Sequence, residues 1–421
     1  METTVTVGAL GALIGLILSI FLIFKEVKPF YALFVGALVG GLIGGASLTE
    51  TIQLMTEGSM GMMTSILRIL AAGVLAGVLI KSGAAQSIAY GIINAVGKER
   101  AMLAIIISTT VLTSVGVFID IAVITVSPIA IEIGKQIGGT KTSILVAMIG
   151  GGKAGNIVSP NPNTIVVSDT FNVPLTRLML AGFIPAITAI FITYIITNKI
   201  KSKGSELQTG IEFSQMTEEL PSLFKSLVGP IVAILLLTLR PLIGVEVDPM
   251  IALPLGAVTG AIVLGETGRM ITHMNYGLEK MTNVAIILLG TGLIAGIITN
   301  SNLGEVIISM IESLGLSSIL IAPISGILMS AATASTTSGS AVASAVFADT
   351  IMNSGVGALN GGAMLHAGAT VLDHLPHGSF FHATAGTVSM KFKERLSIIP
   401  YESAIGLTIT IVSVIIYGFI I

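Results

Sequence analysis

The residues able to do chemistry crowd into one short stretch near the end of the chain, HAGATVLDHLPHGSFFHA at 366–383. It holds four of the five histidines in the sequence, with Asp373 and Pro376 between them. Histidine titrates near neutrality and can both bind an anion and pass a proton, so Asp373, His374 and His377 read as a proton- and carboxylate-handling cluster. A solvated loop of histidines is the plainer alternative. His366 and His382 flank the cluster and are set outside it.

Three further places carry polar groups in apolar surroundings. Asp120 stands mid-segment between VGVFI and IAVITV. An ionised acid there costs about 3 kcal/mol on insertion scales, so such residues usually serve ion or proton paths. An acid satisfied by amides at a re-entrant tip is the alternative. GGGKAGNIVSPNPNT at 150–164 supplies Lys153, Asn156, Asn161, Asn163 and Thr164. Its amides and hydroxyl suit hydrogen bonds to substrate hydroxyls or sodium ligation, with helix capping as the simpler role. Lys153 reads either as a counter-charge for a substrate carboxylate or as a partner of Asp120. TASTTSGSA at 333–341 offers hydroxyls, among which Ser338 and Ser340 are candidates. Arg68, in MTSILRILAAG, reads as interfacial and stays outside the site.

The elements that must position these groups are membrane helices. Of 421 residues 53% are hydrophobic and 10% charged, at a mean hydropathy of +0.98. Soluble domains carry about 25% charged residues. Apolar runs near the bilayer-crossing length of about 20 residues recur, as in VGALGALIGLILSIFLIF (7–24) and IGLTITIVSVIIYGFII (405–421). Barrel strands alternate and show no such runs. A net charge of −2 without a basic tail excludes nucleic acid as a partner, and the absence of cysteine excludes disulfides and thiol chemistry. The opening METTVTVGAL lacks the positive region of a cleaved signal, so the first helix is expected to be retained in a multi-pass inner-membrane protein.

The chain also repeats itself. AAGVLAGVLIKSGAAQ (71–86) returns as GTGLIAGIITNSNLGE (290–305), and GNIVSPNPNT (155–164) is echoed by GATVLDHLPHGS (368–379). Between these anchors each half holds two apolar segments with a polar middle. The charged stretch 198–225 separates the halves, giving a first repeat over 1–203, a cytoplasmic linker over 204–224 and a second repeat over 225–421. About five spans per half, an odd number, invert the second repeat relative to the first. The expected fold is an all-α polytopic membrane protein of two inverted repeats. It has about ten spanning helices, two re-entrant hairpins (101–134 and 316–350) and broken helices. Lysine and arginine gather at segment ends such as Lys25, Lys28, Lys135, Lys141, Lys199, Lys201 and Lys203, but are absent between Lys280 and Lys391. That asymmetry fits both termini outside.

SVGVFIDIAVITVSPIA, then GNIVSPNPNTIVVSDTFN, then STTSGSAVASA and a late GATVLDHLPHGSFF resemble, in order and over nearly the whole chain, the gluconate permease (GntP-type) family of the ion-transporter superfamily. The family places an acid in the first hairpin, where Asp120 stands, and a proline-rich break, where Ser159 to Asn163 stand. Its late motif is closer to SHVNDAGFW, and this chain departs from it with LDHLPHGSFF. The resemblance implies a secondary symporter for a small organic anion, usually proton-driven, and a homodimer. The residues expected to bind substrate are Lys153, Asn156, Asn161, Asn163, Thr164, Ser338, Ser340, His374 and His377. Those expected to couple it to protons are Asp120, Asp373, His374 and His377. Gluconate or a related sugar acid is the expected substrate, with no cofactor or metal, membrane lipid as surroundings, and sodium as the alternative coupling ion. Two other classes compete. An intramembrane zinc enzyme could use Asp373-His374-x-x-His377, but a doubled architecture is unexplained by one catalytic centre. A passive channel is disfavoured because broken repeats suit alternating access.

Overall fold

In hydrocarbon every backbone polar group must be satisfied within its own segment, so long apolar runs fold as helices. The computed structural model describes residues 7–97, 100–207, 220–239, 243–245, 247–313 and 317–421, and these form an all-α polytopic membrane fold. Before the charged stretch come α1 (Ala9–Phe24), α2 (Pro29–Ile43), α3 (Leu48–Gly61), α4 (Met63–Lys81), α5 (Ala84–Val96), α6 (Ala101–Ser114), α7 (Ile119–Gln136), α8 (Lys141–Asn156), α9 (Pro162–Thr170), α10 (Leu175–Ala181) and α11 (Phe183–Lys199). After it come α12 (Leu223–Leu237), α13 (Pro249–Leu264), α14 (Met270–Thr299), α15 (Leu303–Ser313), α16 (Ile321–Thr333), α17 (Thr336–Asn353), α18 (Ala358–Gly368), α19 (Ser379–Thr387), α20 (Phe392–Leu396) and α21 (Ile399–Val414).

Among the described residues four continuous stretches are long and apolar enough to cross a bilayer alone, Met63–Lys81, Leu175–Lys199, Thr267–Thr299 and Phe392–Ile420. Their outer faces are greasy. Phe183, Ile187 and Phe191, one helical turn apart on α11, are each more than half exposed, as a lipid-facing stripe requires.

Other segments are too short to cross. The pair α6 and α7 turns at 115–118, and the pair α16 and α17 turns at Ala334–Ser335. At 1.5 Å per residue the shorter arm of each hairpin reaches only about 20 Å. The turns fall where the glycine- and hydroxyl-rich middles were expected. Two further segments break mid-course. Helix α8 stops at Asn156, and the chain resumes as α9 only after the SPN turn. Helix α18 stops at Gly368, and α19 starts only at Ser379. Proline and glycine cause both breaks, by removing donors and by permitting open backbone.

Close backbone contact explains the glycines. Helices α4 and α14 run antiparallel with Gly73 facing Gly277, and α3 lays Gly58 against Gly292 further along α14; a Cβ built on Gly277 would lie 1.8 Å from Gly73 O. Helix α8 likewise lays Gly151 and Gly155, one turn apart, against the α6 backbone, where a Cβ would meet Ile106 O at 2.2 Å and Thr110 O at 2.0 Å. Small residues are what let membrane helices pack this tightly. Consequently every residue of α8 is buried, Lys153 included.

Of the expected linker, 208–219 lie outside the described residues. Ahead of them Lys141 N donates to Ser205 O at 3.0 Å, and Thr140 Oγ1 donates to Lys203 O. Lys141 Nζ also reaches Ser389 O at 2.7 Å. These bonds gather Lys141, Lys203 and Lys391 at one end of the bundle.

Candidate functional site

The two hairpin turns and the two breaks line one cavity of about 610 Å³. Each contributes the start of a helix. Ile119 and Asp120 open α7, Pro162 and Asn163 open α9, Thr336 and Thr337 open α17, and Ser379 and Phe380 open α19; all line the cavity. The first N–H groups of a helix have no intrahelical acceptor, and its N-terminus carries a partial positive charge. Four such ends around one space make a strongly anion-favouring lining.

Most of the candidates read from sequence line this space: Asp120, Asn156, Asn161, Asn163, Ser338, Asp373 and His377. Lys153, Thr164, Ser340 and His374 do not line it and are buried. Asn161 caps α9, its Oδ1 accepting from Asn163 N at 2.9 Å and Thr164 N at 3.1 Å. Its amide donates back to Asn156 O at 2.7 Å, so this asparagine ties the two ends of the break together. Asn163 accepts from Thr337 Oγ1, which joins the first break to the second hairpin tip. Ser335 caps α17 by accepting from Ser338 N at 3.2 Å.

Lys153 pairs with Asp373 rather than with Asp120, and also reaches Thr370 O. Asp373 in turn accepts from Thr336 Oγ1 at 2.5 Å, so one carboxylate joins the cavity wall to the interior. His374 points away from the cavity. Its Nδ1 lies 2.9 Å from Asp373 Oδ1 and 3.5 Å from Glu402 Oε2, and its Nε2 lies 3.1 Å from Ser403 Oγ. Glu402 pairs with Arg395 at 2.7 Å, and the Arg395 guanidinium stacks 4.7 Å from the Phe381 ring. Glu402 and Arg395 are both fully buried. Two carboxylates are thus balanced by two cations, with a histidine between them.

His377 sends Nε2 to Ala332 O at 3.2 Å, and since a carbonyl only accepts, that nitrogen donates. With Asp373 held by Lys153 and His377 turned to a carbonyl, Asp373-His374-x-x-His377 is not a common ligand set. Among the described residues no three His, Cys, Asp or Glu side chains are placed to hold a metal.

Sequence reading missed three charged residues here. Lys280 lines the cavity from α14, although it sits in the polar run GLEKMTN and reads there as a flanking charge. Arg395 and Glu402, seven residues apart, likewise look like tail charges. Helical length was the available signal for Lys280, because α14 continues for 30 residues through that run.

Arg68 is no isolated interfacial charge. It donates to Asp248 Oδ2 at 2.6 Å and to Asp169, which also accepts from Ser65 Oγ at 2.7 Å. These groups line a second cavity of about 520 Å³.

A family model described as GntP family permease matches residues 7–420. A protein of Haemophilus influenzae described as a transporter is 57% identical over 413 residues, 98% of this chain and 99% of its own. A gluconate permease of Pseudomonas aeruginosa is 27% identical over 240 residues, 55% of this chain and 53% of its own. Among solved structures, the YdaH transporter of Alcanivorax borkumensis shares the fold with a TM-score of 0.68 at 14% identity, over 88% of this chain and 89% of that one.

Proposed function

This chain belongs to the GntP permease family, and on that premise we propose that it is a proton-coupled symporter of a small hydroxylated carboxylate such as gluconate. One observation carries the reading. Four helix N-termini face a single cavity whose lining also carries the amides of Asn156, Asn161 and Asn163 and the hydroxyls of Thr337 and Ser338, groups suited to a carboxylate with hydroxyls attached. Asp120, in that cavity and free of any described basic partner, is the proposed coupling acid; Asn156, Asn163, Thr337 and Ser338 are proposed to hold substrate hydroxyls. Similarity to a gluconate permease supports the sugar-acid class.

In this reading the protein is a carrier rather than an enzyme, works without cofactor or metal in the inner membrane, and moves its site by alternating access. The two halves are proposed to be related by rotation about an axis in the membrane plane. The antiparallel course of α4 and α14, whose sequences repeat, supports this.

A ligand that binds only the folded state stabilises it by mass action. A thermal-stability screen of sugar acids, hydroxy acids and dicarboxylates, followed by proteoliposome uptake under an imposed pH gradient, tests the proposal. Stabilisation by sugar acids and accumulation driven by the pH gradient are expected. Accumulation that follows a sodium gradient and ignores pH would transfer the coupling to sodium.

A further inference from the structure

We infer that Lys280 and Asp120 form a charge couple that fixes both the charge of the substrate and its obligatory transport with one proton. The inference rests on the cavity being the substrate site. Four charged or titratable side chains line it: Asp120, Lys280, Asp373 and His377. Asp373 is balanced by Lys153, and His377 donates to a backbone carbonyl. Asp120 and Lys280 remain. Asp120 accepts from backbone amides at the start of its own helix, Ile121 N at 2.9 Å among them, and the Lys280 ammonium lies 5.3 Å from the Tyr276 ring. Among the described residues no ion pair engages either, so the two charges share the space without neutralising each other in contact.

The other elements packed on α7 add little charge near Asp120. Helix α6 presents no Asp, Glu, Lys, Arg or His, and α5 presents Tyr90. Helix α8 brings Lys153, engaged with Asp373, and Lys141 at its far end, bonded to Ser389 O. Helix α19 brings His382, which donates to Pro376 O at 2.8 Å. Lys280 is therefore the unpaired cation of the cavity left to act on Asp120; Lys81, 4.3 Å over the same Tyr276 ring, is outside the cavity lining.

The charge states follow. The empty cavity, with Asp120 ionised and Lys280 charged, is neutral. With Asp120 protonated and a monoanion bound against Lys280, it is neutral again. A proton alone leaves one positive charge, and an anion alone leaves one negative charge. Closing a protein wall over an uncompensated charge is heavily penalised, so only the empty and doubly loaded forms cross readily. Proton and anion each strengthen the other's binding, as linkage requires. The couple thus selects monocarboxylates over dicarboxylates, with one proton per anion.

The test uses the full-length protein in lipid nanodiscs, with D-gluconate as probe. In wild type the dissociation constant is expected to rise by about tenfold per pH unit above the pH at which Asp120 ionises. Asp120→Asn should retain the acid-pH affinity at all pH values. Lys280→Gln should weaken binding by at least about tenfold, and Lys280→Arg should largely restore it. Lys280 is exposed to the cavity, so these changes leave packing intact. Wild-type affinity in Lys280→Gln overturns the inference. Infrared titration of the ligand-free protein supplies an arm independent of substrate. The carboxylic-acid band of Asp120, identified by its loss in Asp120→Asn, should persist to higher pH in Lys280→Gln than in wild type. An unmoved band overturns the couple even if gluconate proves not to be the substrate. If wild type binds no sugar acid, the substrate reading falls and the infrared comparison alone decides the couple.

Discussion

Replacing Lys153 by methionine isolates the pair that links the two breaks. The side chain is fully buried, its partner Asp373 is 4% exposed, and methionine keeps most of the volume while removing the charge. Deleting one member of a buried ion pair costs about 3–5 kcal/mol, because the other charge is left stranded. Asp373 would keep Thr336 Oγ1 at 2.5 Å and His374 Nδ1 at 2.9 Å, which places the expected loss near the lower bound, about 3 kcal/mol. Adding Asp373→Asn should return about 1–2 kcal/mol by removing the stranded charge. The chain has no tryptophan, so reversible unfolding in mixed micelles is best followed by far-UV circular dichroism. A single variant within about 0.5 kcal/mol of wild type, or a double variant no better than the single, would refute the reasoning.

Gly277→Ala places a methyl 1.8 Å from Gly73 O and must push α4 and α14 apart; a loss of about 1–3 kcal/mol is expected in the same unfolding assay, and a neutral result would mean the two helices do not touch. Arg68→Gln strands Asp169 with Ser65 as its remaining partner, but Arg68 is 25% exposed and Asp248 31%, so solvent screening limits the expected loss to about 1 kcal/mol. Adding Asp169→Asn should recover most of it, and an additive second loss would show that the Arg68–Asp169 contact carries no coupling energy.

The sequence reveals the places where helix must stop better than it reveals which side chains face one another there. SVGVF, TAS and SPNPN mark turns and breaks because glycine and proline act locally, and Asp120 is conspicuous because an acid inside an apolar run needs a reason. Facing is a tertiary property. Asp373 lines the cavity while His374, the next residue, turns to Glu402 and Ser403, and no local pattern distinguishes the two. Lys280 was obscured by its company, since a lysine among Glu279, Met281 and Thr282 looks like the end of a span until the helix is known to run on to Thr299. The Arg395–Glu402 pair joins α20 to the start of α21, two short elements whose packing only the assembled bundle defines.

The Lys153–Asp373 pair also sets a timetable for biogenesis. Its members are 220 residues apart in the chain, so the lysine is synthesised long before its acid. At roughly 5–20 residues per second the wait is roughly ten to forty seconds. During that interval α8 holds a lone ammonium that the bilayer core disfavours by about 3 kcal/mol. Until the last eighth or so of the polypeptide arrives, α8 therefore has reason to remain in the insertion machinery or in water instead of settling in lipid. A ribosome stalled before Asp373 would then leave a nascent chain marked for quality control by one unanswered charge.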